Sequence, residues 1–188
     1  MSNVFFEEFP KIARLNRDCV ISEKIDGTNG QIIITEEGEV VAASRSRLIS
    51  TRDDNFGFAA WVSENRDDLR KLGPGRHFGE WWGAGIQRRY GLTGPDKRFS
   101  LFNAERWSDD AVRPACCGVV PVLYQGLFHS IEVERVLDDL RRHGSRAAPG
   151  FMKPEGVVIY HTAARSLFKV TLEKDEAPKG QVARETAT

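Results

Sequence analysis

Apolar and polar residues alternate in short runs along most of the chain, and apolar positions recur at helical steps in two places. CVISE at 19–23, GQIIIT at 30–35 and EVVAAS at 39–44 read as strands. Glu36-Glu37-Gly38 between the last two is a hairpin turn, with Gly38 free to take a positive φ. Asp26-Gly27 turns the chain after the first strand. Residues 54–72 predict a helix: Asp54 is the N-cap, and Phe58, Trp61, Val62, Asn65, Leu69 and Leu72 return every three or four residues. Gly73-Pro74-Gly75 stops it. HFGEWW at 77–82 is an aromatic strand. The glycines at 83, 85, 91 and 94 then predict a long mobile loop carrying Arg88 and Arg89. RFSLFNAERW at 98–107 returns to strand, and VVPVLYQGLF at 119–128 is another, weakened at its start by Pro121. Residues 131–142 form the second helix through Ile131, Val133, Val136, Leu137 and Leu140, ended by Gly144. GVVIYH at 156–161 and SLFKVTL at 166–172 make a closing antiparallel pair.

Strands and helices fall in separate runs, so the pattern predicts an α+β domain with antiparallel sheets, not a doubly wound parallel sheet. Phe5, Phe6 and Phe9 are expected to pack over the core as a flap ended by Pro10. Residues 1–174 read as one unit, and the polar tail at 175–188 as disordered.

Charge alters this picture modestly. The 188 residues hold 27 basic and 27 acidic side chains, which excludes a polycation that grips nucleic acid by bulk charge. Within 41–100, however, 11 basic residues face 7 acidic ones, a local surplus that can line a phosphate track. Arg45, Arg47, Arg52, Arg88 and Arg89 are its candidates; a solvated arginine surface is the alternative. No run is long and apolar enough for a membrane span. Glutamates follow the first apolar run directly, unlike a secretory signal. Cys19, Cys116 and Cys117 suit neither a disulfide framework nor a zinc site, and read as reduced cytoplasmic thiols.

Four short segments can carry chemistry. In Lys24-Ile25-Asp26-Gly27 an extended chain projects Lys24 and Asp26 from one face, and Gly27 permits a tight turn. A lysine held at a strand end is a nucleophile when its amine is deprotonated, or else part of a charged turn. Glu80, inside an aromatic run, can bond a sugar hydroxyl, contact a metal or point to solvent. Glu155 before Gly156 either holds a hard cation through oxygen or belongs to a turn. Lys169, the one charge in an apolar strand, meets a phosphate or faces solvent.

Taken in order, these segments resemble the covalent nucleotidyltransferases, which comprise ATP-dependent DNA ligases, RNA ligases and mRNA capping enzymes. The nearest resemblance is to the RNA ligase branch of phage type that seals nicks in duplex RNA. Lys24-Ile25-Asp26-Gly27 matches the nucleophile motif, and Thr28-Asn29 extends it. Ser44-Arg45-Ser46 resembles the arginine motif that follows, Phe78-Gly79-Glu80 the ribose-binding motif, and Phe99-Ser100-Leu101-Phe102-Asn103 the adenine-stacking motif. Glu155-Gly156 resembles the metal motif and Lys169 the closing lysine motif. The matches span about residues 20–172. There are three departures: Thr171 or Leu167 replaces a second lysine beside Lys169, Asn103 replaces an aspartate, and only a short stretch follows Lys169.

The resemblance implies two antiparallel sheets with flanking helices, and ATP bound between them with Mg²⁺ or Mn²⁺. Lys24 would take AMP, Lys169 would contact the α-phosphate, and Asp26 would orient the lysine or the ribose. Glu23, Glu80 and Phe102 would bind the nucleotide, and Glu155 the metal. AMP would then pass to a 5′-phosphate end and be released as a 3′-hydroxyl attacks. The implied partner is RNA, nicked or broken in duplex, with a partner protein supplying grip for a bare catalytic domain. Two alternatives remain: a lysine-dependent adenylyltransferase for another acceptor, and a non-catalytic nucleotide- or nucleic-acid-binding module.

Overall fold

The computed structural model of the chain describes residues 5–173. Its elements run β1 (Asp18–Lys24), β2 (Thr28–Ile34), β3 (Val40–Ala43), α1 (Phe58–Glu64), α2 (Arg66–Leu69), β4 (Gly75–Gly83), β5 (Lys97–Leu101), α3 (Ala104–Trp107), β6 (Cys117–Val119), β7 (Val122–Leu127), α4 (Ser130–His143), β8 (Gly156–His161) and β9 (Ser166–Thr171). Short 3₁₀ turns occur at Arg70–Leu72 and Arg89–Gly91.

The strands form two sheets. The first has the order β7-β1-β8-β9, with every pair antiparallel. Alternation along β1 explains its two faces: Cys19, Ile21 and Glu23 are buried, while Val20, Ser22 and Lys24 lie on the other side. Val133, Val136, Leu137 and Leu140 of α4 recur at helical spacing and cover the buried face. Gly144 ends α4 at φ 76°, and Arg141 and Arg142 occupy its last turn, where the helix dipole favours cations. The second sheet has the order β3-β2-β4-β5-β6. It is antiparallel except at its edge, where β6 joins β5 in parallel. That exception follows from the connection: α3 and the turns after it carry the chain back to the start of the sheet.

The core of the second sheet lies between its back face and α1. Phe58 is fully buried there, with its ring centroid 5.1 Å from that of Phe99, 5.5 Å from Trp81 and 5.9 Å from Trp61. Phe58→Ala removes the centre of this cluster and is expected to cost about 3–5 kcal/mol. Urea denaturation checks it; an unchanged midpoint would contradict this packing.

The chain crosses between sheets twice at one place. It leaves β1 at Lys24 and enters β2 at Thr28, and it leaves β6 at Val119 and enters β7 at Val122. Ile25 and Val120, one from each crossing, share a buried cluster with Trp82, Tyr90 and Ala148. The Glu23 N–H also donates to the Pro121 carbonyl at 2.9 Å. This cluster joins the sheets and sets their front faces against a common seam.

Several sequence expectations change. The helix over 54–72 is broken at Asn65, whose φ is −101° and whose side-chain amide donates to the Trp61 carbonyl. Asp54 still holds the helix start, accepting the N–H groups of Ala59 and Ala60. The strand at 98–107 stops at Leu101, because the Asn103 side chain accepts the Arg106 N–H and caps α3. The run at 119–128 is split by Pro121 between the two sheets. Phe5, Phe6 and Phe9 do not pack as a flap: they are 86%, 91% and 82% exposed. The expected disordered tail lies outside the described residues. Among the described residues, no helix is long and apolar enough to cross a membrane.

Candidate active site

The seam brings three of the sequence-predicted residues together. Lys24 ends β1 on the face away from α4, opposite Gly156 of β8. Glu155 directly precedes that glycine, so its carboxylate meets the lysine, with Oε2 2.6 Å from Nζ. Both side chains are largely shielded, 24% and 18% exposed. Glu80 arrives from the second sheet, where it pairs with Asn29 across β2 and β4. Its Oε1 accepts the Gly27 N–H and its Oε2 accepts the Asn29 side-chain amide, each at 3.0 Å. Glu80 therefore ties down the turn that carries Lys24. Gly27 permits this approach, since a Cβ there would lie 2.4 Å from the Trp81 carbonyl oxygen.

Burial pushes the Glu80 carboxyl up to about 7, against the lowering pull of the Gly27 N–H and of Lys24. The folded chain thus holds a proton that the unfolded chain releases above about 4.5. The corresponding stability is present below that pH and is lost as pH rises towards about 7. The loss is on the order of 3 kcal/mol at its upper bound. Denaturation without nucleotide should show stability falling over this range, and Glu80→Gln should flatten the slope. An equal slope in Glu80→Gln would contradict the assignment.

Two further predicted residues lie on the faces that carry Glu80 and Lys24. Phe102 follows β5 and donates its N–H to the Phe78 carbonyl at 2.9 Å. Ser100 pairs with Glu80, so Phe102, two positions on, lies on the Glu80 face; it is 44% exposed. Lys169 pairs with Val158, which pairs with Ser22, so Lys169 shares the front face with Lys24 and is exposed. A cavity of about 300 Å³, lined by Trp82, Ser100, Gly118 and Ala147 among others, adjoins the Glu80 face. A larger one of about 540 Å³ lies between β7 and α4, away from Lys24.

Two expectations are corrected. Glu23 is 1% exposed and lies on the α4 side of β1, opposite Lys24. Its oxygens accept from the Ser145 hydroxyl at 2.5 Å and from the N–H groups of Arg146 and Ala147 at 2.7 and 2.9 Å. It anchors the segment after α4 and has no free edge for a nucleotide. Arg88 is not on an open loop. Its guanidinium donates to Asp26 and to the Lys153 carbonyl, each at 3.1 Å. The segment around it is fixed by buried Ile86 and Tyr90. Of the remaining arginines, Arg47 pairs with Asp53, while Arg45, Arg52 and Arg89 are exposed.

Two contributors carry no role in the sequence reading. Tyr90 accepts the Asp26 N–H at 2.8 Å, and burial pushes its hydroxyl well above the usual phenol range, so it stays neutral. Its only sequence signal is an aromatic four residues after Ile86 in a glycine-rich stretch. Asn29 holds Glu80, and its signal was its place directly after Thr28.

Among the described residues, no group of three or more His, Cys, Asp or Glu side chains could hold a metal alone. A lone carboxylate such as Glu155 can give oxygen to a hard cation only if other ligands come from outside the chain. The arrangement as a whole presents an amine, two carboxylates and, farther along the same sheet face, a second amine.

Comparisons with known proteins bear on the family and the fold. The sequence profile described as RNA ligase matches residues 17–171. No curated protein sequence matches the chain. Among solved structures, a Naegleria gruberi RNA ligase mutant with AMP and Mn matches with TM-score 0.62 and 19% identity, covering 84% of this chain and 50% of that one. The Naegleria gruberi RNA ligase with PPi matches with TM-score 0.60 and 20% identity, covering 83% and 50%. A further mutant with ATP and Mn gives 0.57 and 16%, covering 84% and 50%. The chain spans about half the length of these proteins, and the likeness shows a shared α+β fold.

Proposed function

The chain belongs to the RNA ligase family, and from that premise we propose that it joins RNA ends with ATP through a lysyl–AMP intermediate on Lys24. The observation that carries this reading is the Lys24 amine, held at a sheet seam 2.6 Å from Glu155 beside the Glu80-bound turn. The strand-end lysine is paired with one carboxylate, and a second carboxylate holds the turn that follows it.

Attack requires the amine lone pair, so the ion pair with Glu155 must open and the ammonium must pass a proton to solvent water. Lys24 Nζ then bonds the α-phosphorus of ATP, and the phosphorus–oxygen bond to pyrophosphate breaks. Mg²⁺ or Mn²⁺, held by Glu155 together with the nucleotide phosphates, would neutralise charge on the phosphoryl oxygens when bound. Lys169 adds a positive charge from the same sheet face. Glu80 accepts a ribose hydroxyl, and Phe102 stacks the base. Asp26 is engaged by Arg88 and Tyr90, which favours an orienting role over proton transfer.

In the second half AMP moves to a 5′-phosphate, and a 3′-hydroxyl displaces it to seal the strand. Exposed Arg45, Arg52 and Arg89 are the phosphate contacts on this reading. The substrate is a nick or break in duplex RNA, with added grip from a partner protein. Three free cysteines fit a reducing cytoplasm.

Incubation with α-labelled ATP and Mg²⁺, followed by a chase with nicked duplex RNA, tests the reading. Label should enter the protein, leave on the chase and appear as sealed strand plus AMP. Stable labelling without sealing of any RNA would move the acceptor to another molecule. Absence of label would overturn the reading altogether.

A further inference from the structure

We propose that Arg88 is a positioning residue that clamps the ends of the three adjacent strands carrying the reactive groups. The inference rests on the functional reading above and extends it to a residue outside the motif set.

The register explains why one side chain can do this. Lys24, Gly156 and Thr171 form a row across β1, β8 and β9. The chain extends beyond that row at each strand. Asp26 lies two residues after Lys24, Lys153 two before Glu155, and Glu173 two after Thr171. Arg88 reaches all three: its Nε is 3.1 Å from Asp26 Oδ2, its Nη1 is 3.1 Å from the Lys153 carbonyl, and its Nη2 is 3.4 Å from Glu173 Oε2. A planar guanidinium with several fixed donors suits this task; a lysine would satisfy one partner.

The segment bearing Arg88 is itself held under constraint. Gln87, Arg89 and Tyr90 have φ of 42°, 60° and 50°, left-handed values that non-glycine residues adopt only when surroundings enforce them. Tyr90 is buried against Trp82 and Phe151, with ring centroids 5.2 and 4.6 Å away. The same segment therefore grips Asp26 twice, at its carboxylate through Arg88 and at its N–H through Tyr90. Asp26 lies between the nucleophile and Gly27, whose N–H is bound by Glu80. Loss of the clamp frees the turn on one side while leaving Glu80 in place. The expected result is a misplaced amine in a folded protein.

The test uses the full chain and the variants Arg88→Ala, Arg88→Lys, Asp26→Asn and the Arg88→Ala/Asp26→Asn double. In Arg88→Ala the maximal rate of lysyl–AMP formation should fall about 100-fold, the scale of a misplacement near 1 Å. Half-saturating ATP should move less than about threefold, because the nucleotide contacts are elsewhere. Arg88→Lys should recover part of the rate. In the Asp26→Asn background the alanine substitution should cost less than about threefold more, since the two residues act as one unit. Full additivity, or normal adenylylation with weakened RNA binding, would overturn the proposal and return Arg88 to the nucleic-acid surface.

Amide hydrogen exchange supplies a readout that does not depend on activity. Arg88→Ala should speed exchange at Asp26 by more than about tenfold while leaving α4, and Gly27 on its Glu80 bond, unchanged. Unchanged exchange at Asp26 would refute the clamp. If the wild-type chain forms no lysyl–AMP, the functional reading fails, and the exchange result still decides whether Arg88 holds the turn.

Discussion

Lys24→Ala is expected to lower the rate of AMP transfer to the protein by at least about 10⁴-fold, the scale of removing a covalent nucleophile. On the proposed reading ATP is bound by Glu80, Phe102 and Lys169, which remain, so the loss should appear in the maximal rate. Lys24→Arg should be equally inactive, since a guanidinium stays protonated and offers no lone pair for attack. Neither variant should unfold. The Lys24–Glu155 pair is partly exposed, and after screening its removal costs on the order of 1 kcal/mol. Denaturation midpoints near wild type, together with absent labelling, would separate a chemical defect from a folding one. Undiminished labelling of Lys24→Ala would assign the nucleophile to another amine, with Lys169 on the same face the first to examine.

Gly156→Ala is expected to damage both fold and activity. Gly156 is the cross-strand partner of Lys24 on one side and of Thr171 on the other. Its φ of 154° is one that L side chains rarely adopt, and a Cβ would lie 2.2 Å from the Val170 carbonyl oxygen and 2.8 Å from the Thr171 Cα. These are backbone atoms of a paired strand, so no side-chain rotation can relieve the clash. Either β9 moves outward or β8 shifts along its length. We expect a loss of about 2–4 kcal/mol, in the range for overpacking combined with an incompatible backbone angle. Both movements displace Glu155 from Lys24 or Lys169 from the front face, so AMP transfer should also fall by about 100-fold in the fraction that remains folded. Calorimetry or urea denaturation measures the first effect and a single-turnover assay the second. A variant with wild-type stability and rate would show that the row of Lys24, Gly156 and Thr171 is not tightly constrained.

The parts of this site that were legible in the sequence share one property. Glu155 stands beside Gly156 and Glu80 beside Gly79, and Lys24 stands three residues before Gly27. Those glycines mark places where backbones approach closely: a Cβ on Gly79 would lie 2.5 Å from the Ser100 carbonyl oxygen. Local composition therefore reports the geometry. Likewise α4 was readable because its apolar residues face a single partner at helical period.

What stayed hidden depends on partners remote in sequence. Glu23 precedes Lys24 and looks equally able to meet a nucleotide. Strand alternation sends it to the other face, where it finds Ser145, Arg146 and Ala147. Arg88 and Asp26 are 62 positions apart, and no periodicity links them. The break at Asn65 was invisible because Leu69 and Leu72 preserve the apolar rhythm beyond it. Phe5, Phe6 and Phe9 are apolar positions close in sequence, yet pattern alone cannot supply a surface to bury them.

The most direct test of the central claim is peptide mapping by mass spectrometry after incubation with ATP and Mg²⁺, under conditions that preserve an acid-labile phosphoramidate. The account predicts one AMP per chain, on the peptide containing Lys24 and on its side-chain nitrogen. An adduct on any other residue, or a fully folded chain that binds ATP and forms none, would contradict it.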